Sequence, residues 1–367
     1  MLRTSVILAA LLILNLTPCQ DVEAAELKVS QRIYRSAHFL GRADTGIADA
    51  DNQEAIFYNP AGVASGKGIF KKLILGSPQF EISKDTRDLI RQIAIEKNEV
   101  GFDTLKSHVG ETQHVGASQV SALVLRRAAL SGFVGSEANI LIYKSRDAGA
   151  LESADANFVA NGGGTFSVAE SFFSDSFLVG VTGKYLRRGV AEASFSILDA
   201  SNLNDITTND YVRYGSGLGA DLGFMLRNEK AKLPYSLGLT VENMGSLNFT
   251  AENSSYAAPS ALKQTVNFGL MLKPGTKVSA LKILMDYRDL TSAVETNRAK
   301  KIALGAELNL KGVLGLMLGL HQGYPTGGVF LDFRVLRLDL AGYTQEMGEH
   351  LGSRPDPRYV FRLTAGF

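Results

Sequence analysis

The last nine residues, YVFRLTAGF, alternate between apolar and other side chains. The residues of one parity are Tyr359, Phe361, Leu363, Ala365 and Phe367. Arg362 and Thr364 belong to the other parity. Because successive side chains of a strand point to opposite faces, this segment predicts a strand with one face toward lipid. A half-buried edge strand of a soluble protein would show the same alternation. The rest of the chain is therefore needed to distinguish a membrane strand from a soluble one.

The same alternation recurs from about residue 67 onward, in fourteen strand-like segments. They are 67–80, 114–127, 129–143, 154–170, 175–190, 211–227, 233–244, 264–273, 277–289, 298–310, 312–323, 326–334, 335–346 and 357–367. Leucines and charged residues occupy opposite faces, and the number is even, as in single-chain bacterial barrels. The sequence therefore predicts an all-β fold, a transmembrane antiparallel β-barrel of about 14 strands.

Short and long connections alternate between these segments. The short ones lie near Ala128, Ser174, Lys230, Gly275, Lys311 and Leu336, and the others, 81–113, 144–153, 191–210, 245–263, 290–297 and 345–356, are mostly longer. The connection near Tyr324 is an exception. Outer-membrane barrels have short periplasmic turns and long extracellular loops. A soluble β-sandwich also alternates with period two, but it does not account for this rhythm.

The first 24 residues read as an export signal, with Arg3, an apolar stretch and a small-residue cleavage site that ends at Ala24. Cleavage would remove Cys19, the single cysteine, which suits an oxidising compartment. The terminal Phe367 resembles the signal read by the bacterial barrel-assembly machinery. We therefore expect export to the bacterial outer membrane, with outer-membrane lipid around the barrel.

Charge and motifs exclude several classes of function. The chain has 38 basic and 37 acidic residues without a basic block, so we expect no nucleic-acid partner. Its five histidines are scattered, and neither a His-Glu-x-x-His motif nor a nucleophile elbow occurs. We predict no enzyme activity, no cofactor and no metal site. Since the chain has no Trp, its 12 Tyr and 19 Phe would have to form the interfacial girdles.

The segment from about residue 83 to 109 breaks the alternation, because its apolar residues have helical spacing. It would lie in the first extracellular loop. We interpret it as a helical cap on the barrel rim in preference to a binding site for a partner.

Charged residues on the predicted inner face are the candidate lumen residues. They are Lys184, Asp221, Glu242, Asp286, Arg288, Glu307, Asp332, Arg334, Arg337 and Asp339. Opposite charges on neighbouring strands can neutralise one another, so structural pairing is the first interpretation and substrate contact the second. A hydrophobic cargo would also need apolar lumen positions, for which Phe330, Met317 and Leu284 are candidates.

The segment from Leu40 to Gly66, LGRADTGIADADNQEAIFYNPAGVASG, resembles the N-terminal signature of the FadL/TodX family of outer-membrane transporters of hydrophobic compounds. The residues that carry the motif are Gly41, Gly46, Phe57, Tyr58, Asn59, Pro60, Ala61 and Gly62. The resemblance implies a hatch inside the barrel. It divides the chain into a signal peptide (1–24), a hatch (25–66) and a barrel (67–367).

Two functions follow from the resemblance. The first is passive uptake of a small hydrophobic compound, fatty-acid-like or aromatic. The run LGADLGFML, followed by PYSLGLTVENMG, is similar to the PorV-like branch of the superfamily, which implies the second: a secretion or surface-assembly scaffold that holds a secreted protein.

Overall fold

The computed structural model describes residues 30–65, 70–96, 108–144, 152–196, 212–253, 257–274, 279–310 and 312–366. The predicted signal peptide, Phe367 and the second half of the predicted helical loop lie outside these residues. Helices α1 (Ala37–Gly41) and α2 (Asn52–Tyr58) and a 3-10 helix (Pro60–Ala64) form the N-terminal part. Helix α3 (Lys84–Glu96) and a 3-10 helix (Arg298–Lys301) lie in connections. No described helix is long and apolar enough to cross a membrane.

The strands begin with β1 (Phe70–Gly76) and β2 (Gln79–Ser83), two parts of one interrupted strand. The others are β3 (Thr112–Leu125), β4 (Ala128–Lys144), β5 (Glu152–Phe172), β6 (Phe177–Ser196), β7 (Arg213–Asn228), β8 (Tyr235–Glu242), β9 (Thr250–Ala251), β10 (Thr265–Leu272), β11 (Ser279–Tyr287), β12 (Ile302–Leu310), β13 (Leu314–His321), β14 (Tyr324–Asp332), β15 (Leu336–Glu346) and β16 (Pro355–Gly366).

Each long strand pairs antiparallel with the next, and β1 and β2 pair with both β3 and β16, so the sheet closes on itself. If β1 and β2 count as one strand and the two-residue β9 is left out, the described residues form a closed barrel of fourteen strands. This confirms the predicted fold class. Short turns such as 126–127 and 333–335 lie at one end, here called the short-turn end. The opposite end is the long-loop end.

The outer face of the barrel is apolar, as the alternation predicts. On β13, Leu316 is 43% exposed and Leu318 67%, whereas Met317 between them is 1% exposed. Exposed aromatic residues at the short-turn end, Phe172, Phe173 and Phe333, supply an aromatic girdle in a chain that lacks Trp.

Replacing Leu316 with arginine is expected to destabilise the barrel by about 2–4 kcal/mol, because the charge would face lipid near the midplane. The control is Val313→Arg in the turn before the same strand, where the cost falls to about 0–1 kcal/mol. Urea unfolding of the two variants in lipid vesicles measures the difference. Equal costs would mean that β13 does not face lipid as described.

The segment 30–65 lies inside the ring of strands, and inward-facing glycines make room for it. They form directly opposite pairs: Gly180 with Gly223, Gly238 with Gly269, and Gly305 with Gly319. A Cβ on Gly238 would lie 2.3 Å from the Ile47 carbonyl oxygen, and one on Gly305 would lie 2.4 Å from that of Arg42. Any side chain at these positions would take the space of the segment's backbone.

Candidate functional site

The Asn-Pro-Ala-Gly motif forms a compact turn that is tied to the barrel wall. Asn59 Oδ1 accepts a hydrogen bond from the Ala61 N–H at 3.1 Å, which caps the 3-10 helix. Asn59 Nδ2 donates to the carbonyl oxygens of Ile47 at 2.7 Å and Phe224 at 3.1 Å. Pro60 occupies the first helical position, where no N–H is needed. A Cβ on Gly62 would lie 1.9 Å from the Ala50 carbonyl oxygen.

The other motif residues pack the same segment together. A Cβ on Gly46 would lie 2.4 Å from the Phe39 ring, and one on Gly41 would lie 3.0 Å from Met317 Cε. The Tyr58 hydroxyl donates to Asp44. The Phe57 ring lies 4.9 Å from the Tyr34 ring and 5.6 Å from that of Phe133 on β4.

Buried ion pairs join the segment to strands β12, β15 and β16. Arg42 contacts Glu307 at 2.5 Å and Asp49 at 2.8 Å. Arg362 contacts Asp339 at 2.8 Å and Glu54 at 2.9 Å. Since a buried charge is costly without a partner, the pairs Arg42–Glu307 and Arg362–Glu54 depend on the segment staying in place.

A second ionic cluster surrounds Asp44 on the other side of the segment. Arg32 contacts Asp44, and the Arg35 and Arg288 guanidinium groups lie 3.6 and 3.9 Å from it. On β11, Asp286 Oδ2 accepts hydrogen bonds from the N–H groups of Gly46 at 2.9 Å and Ile47 at 3.3 Å. The wall therefore binds the segment through its backbone as well as its side chains.

Five of the ten candidate lumen residues, Asp286, Arg288, Glu307, Arg337 and Asp339, contact the N-terminal segment. Lys184 and Asp221 pair with each other at 2.6 Å, and Glu242 lies 3.9 Å from Arg288. Arg337 pairs with Asp339 at 3.0 Å and with Asp332 at 3.5 Å.

Arg334 is not brought together with the others, because it lies exposed in the turn between β14 and β15 with a φ of 71°. The three apolar candidates, Phe330, Met317 and Leu284, are buried.

Sequence reasoning missed His38, Arg42 and Glu54 in the segment, and Arg362 on the last strand. The inward parity of Arg362 was visible in the terminal alternation. The segment has no alternation, so it offered no such signal.

Two cavities lie at opposite ends of the segment. The one at the long-loop end has a volume of about 280 Å³ and is lined by Arg32, Arg288, Lys300 and Glu346 among others. The one at the short-turn end has about 400 Å³ and is lined by residues such as Asp49, Arg227 and Lys282. Within the described ranges no group of three His, Cys, Asp or Glu side chains could hold a metal ion.

Asp289 shapes the connection beside the long-loop cavity. Its carboxylate accepts hydrogen bonds from the N–H groups of Ala293, Val294 and Glu295 at 2.8 to 2.9 Å. Burial opposes ionisation of this group, but these donors and the nearby Lys301 outweigh it and hold the pKa of Asp289 below its usual range. The loop is thereby folded around a charged carboxylate.

The barrel wall is interrupted between its first strand and β3. Pairing with β3 stops at Ile74, opposite Ala122, and resumes at Gln79, opposite Ser118. Residues 119–121 of β3 therefore have no ladder partner on this side. The Ser121 hydroxyl reaches across to the Leu75 carbonyl oxygen at 2.9 Å, and the Gln119 amide nitrogen lies 2.9 Å from where a Cβ on Gly76 would be. We call this interruption the wall gap.

Behind the wall gap lies an apolar cluster inside the barrel. It includes Val120, Phe133, Leu186 and Tyr34, with Phe57 packed against it. Val120 is one of the three β3 residues that have no ladder partner on the side of the first strand. The cluster therefore reaches the wall gap directly.

Solved structures with a similar fold are outer-membrane channels. The deltaS2S3 mutant of TodX, titled a monoaromatic hydrocarbon channel, is 12% identical, with a TM-score of 0.50 over 90% of this chain and 97% of that one. The toluene transporter TbuX of Ralstonia pickettii is 10% identical, with a TM-score of 0.50 over 89% and 96% of the two chains. No family model and no curated protein matches the sequence. The chain therefore has the fold of the FadL/TodX type of outer-membrane barrel.

Proposed function

We propose that this protein is a bacterial outer-membrane channel through which a small hydrophobic compound diffuses inward, with residues 25–66 as its hatch. The similar structures are named for a monoaromatic hydrocarbon and for toluene, which supports a cargo of this class. Such passage involves no chemical step.

The observation that carries this proposal is the wall gap with the apolar cluster behind it. A compound that enters from the long-loop end meets the segment 30–65. Buried ion pairs fix this segment to the wall, so it blocks passage to the cavity at the short-turn end. Beside the segment, Val120 and Phe133 offer an apolar route toward the bilayer. A hydrophobic molecule is favoured both in the apolar cluster and in the lipid of the bilayer, because in neither place is it transferred into water.

Replacing Val120 with asparagine is expected to slow toluene entry roughly tenfold or more, because a buried amide disfavours an apolar solute by about 1–3 kcal/mol. The measurement is the initial rate of uptake of radiolabelled toluene by cells that carry the protein in their outer membrane.

The matched control is Val124→Asn, which lies on the same face of β3 and is equally buried but is paired with β1. It should leave uptake near the parent rate. If the parent protein itself does not raise toluene entry above that of cells without it, the proposed uptake of monoaromatic compounds is wrong. If both variants slow entry equally, the route does not pass the wall gap.

A second candidate function is the scaffold for a secreted protein. Strands β4, β5 and β6 have 17, 21 and 20 residues, whereas β12, β13 and β14 have 9, 8 and 9. The longer strands extend the barrel wall beyond the others on one side of the long-loop end. This extension would offer a binding surface to a partner protein. Removing residues 141–155, which include the end of β4 and the start of β5, would then release an exported protein from the cell surface while toluene entry stays unchanged.

A further inference from the structure

Helix α3 lies against the outside of the barrel at the long-loop end. It begins at Lys84, directly after β2 ends. The Arg87 guanidinium lies over the ring of Tyr359, 5.2 Å from its centroid, and Tyr359 is an outward-facing, exposed residue of β16. The helix therefore packs on the rim beside the lipid-facing surface.

The two edges of α3 differ in charge. Lys84, Arg87 and Arg91 are spaced by three and four residues, so they share one edge of the helix. Lys84 and Arg87 have side chains that are 50% exposed, and Arg91 is also exposed. Asp88 pairs with Lys84 at 3.2 Å and with Arg87 at 2.8 Å, and Asp85 lies 3.9 Å from Lys84. The three cations and these two carboxylates leave the edge with one net positive charge.

A different edge of the helix contacts the end of β2 and the connection before β3. Gln92 Oε1 lies 3.2 Å from His108 Nε2, and the Thr86 hydroxyl bonds with that of Ser83 at 2.9 Å. These contacts fix the rotation of the helix, so its basic edge is held on the outer side.

Directly below the basic edge lies the apolar belt of the barrel. Phe80 on β2 and Phe361 on β16 are exposed outward-facing residues and are register partners. Ile90, also exposed, extends this apolar surface onto the helix itself. A helix with one basic edge and an exposed apolar residue at the top of such a belt is placed like an interfacial helix, with its cations at the level of lipid headgroups.

We propose that Lys84, Arg87 and Arg91 bind the phosphate groups of a phosphorylated glycolipid in the outer leaflet. The leaflet follows from the long loops, which lie on the extracellular side of outer-membrane barrels. A basic side chain near an anionic lipid surface strengthens binding about fivefold. Because Asp85 and Asp88 offset part of this attraction, we expect the three together to contribute about tenfold.

The test compares the variant K84Q/R87Q/R91Q with R126Q/R127Q/K232Q. The second variant removes the same charge from three exposed residues at the short-turn end. Each purified protein is titrated with bisphosphorylated lipid A and with dephosphorylated lipid A, and bound lipid is counted by native mass spectrometry. Heat-dependent migration in SDS gels verifies that each variant is folded.

We expect the rim variant to bind bisphosphorylated lipid A about tenfold more weakly than the parent, while the short-turn variant binds like the parent. Dephosphorylated lipid A should bind all three proteins equally weakly. The proposal is overturned if the rim variant keeps the parent affinity, if both variants lose affinity equally, or if removal of the phosphates changes nothing. It concerns the outer rim, so its outcome does not depend on what passes through the lumen.

Discussion

Replacing Arg362 with methionine is expected to destabilise the barrel by about 3–5 kcal/mol, because it leaves buried carboxylates short of a partner. Arg362 is 1% exposed and contacts Asp339 on β15 and Glu54 in α2. Its guanidinium also donates to the Ser36 hydroxyl at 2.7 Å and the Tyr34 hydroxyl at 3.1 Å. Methionine can fill the volume but cannot replace any of these bonds.

The matched control is Arg187→Met, which removes an arginine that is also bound to a carboxylate in two places. Arg187 donates twice to Glu252 at 2.6 Å, but this pair is exposed to solvent. Water compensates for the loss of an exposed pair, so we expect little change. Urea unfolding followed by heat-dependent gel migration measures both variants. Similar stability of the two would show that the buried charges of the segment do not hold the barrel together.

Deleting residues 25–66 is expected to open a large conductance in planar bilayers, where the intact protein conducts little. Interiors of eight-stranded barrels are filled by side chains, but a fourteen-stranded barrel is wider. Strands β6, β7, β8, β10, β12, β13 and β14 each present an inward-facing glycine to the segment, whereas β11 presents Leu284 and Asp286. Much of the lumen at that height is therefore filled by the segment and not by the wall. Without the segment, an aqueous channel should connect the two cavities.

A single substitution gives a second test of the plug that does not depend on folding of the truncated protein. In Gly223→Val the added side chain would overlap Asn59 Oδ1, which lies 2.1 Å from the position of a Cβ. We expect the turn at Asn59 to be displaced and the conductance to rise to an intermediate level. If both variants fold and conduct no more than the intact protein, other side chains or loops close the barrel and the segment is no plug.

The strands were predictable because lipid imposes a strict rule on them. Outward positions at the level of the lipid tails must be mostly apolar, so the alternation of Leu314 to Leu320 on β13 identified a strand and its outer face. This rule does not apply in the turns, where φ can be positive and side chains no longer alternate between two faces. For this reason the sequence pattern wrongly placed Arg334 in a strand.

The wall gap was less visible, because the segment 67–80 reads as one strand. Pro78 was the available signal, since proline cannot donate to a ladder and is disfavoured inside a sheet. The ion pairs could not be predicted, because Glu54 and Arg362 are 308 residues apart and their meeting depends on the closed barrel. The alternation of the strands identified Glu307 and Asp339 as inward-facing, but it did not identify the residues that they bind.

The position of Arg362 also makes closure of the barrel depend on its contents. The seam of the ring lies between the first strand and β16, which follows the other strands of the ring in the sequence. Arg362 on β16 reaches Glu54, which precedes every strand. If the final strand docked onto an empty ring, it would bury this charge with Asp339 but without Glu54, Ser36 and Tyr34. We therefore expect β16 to dock more favourably onto a ring in which the N-terminal segment is already seated.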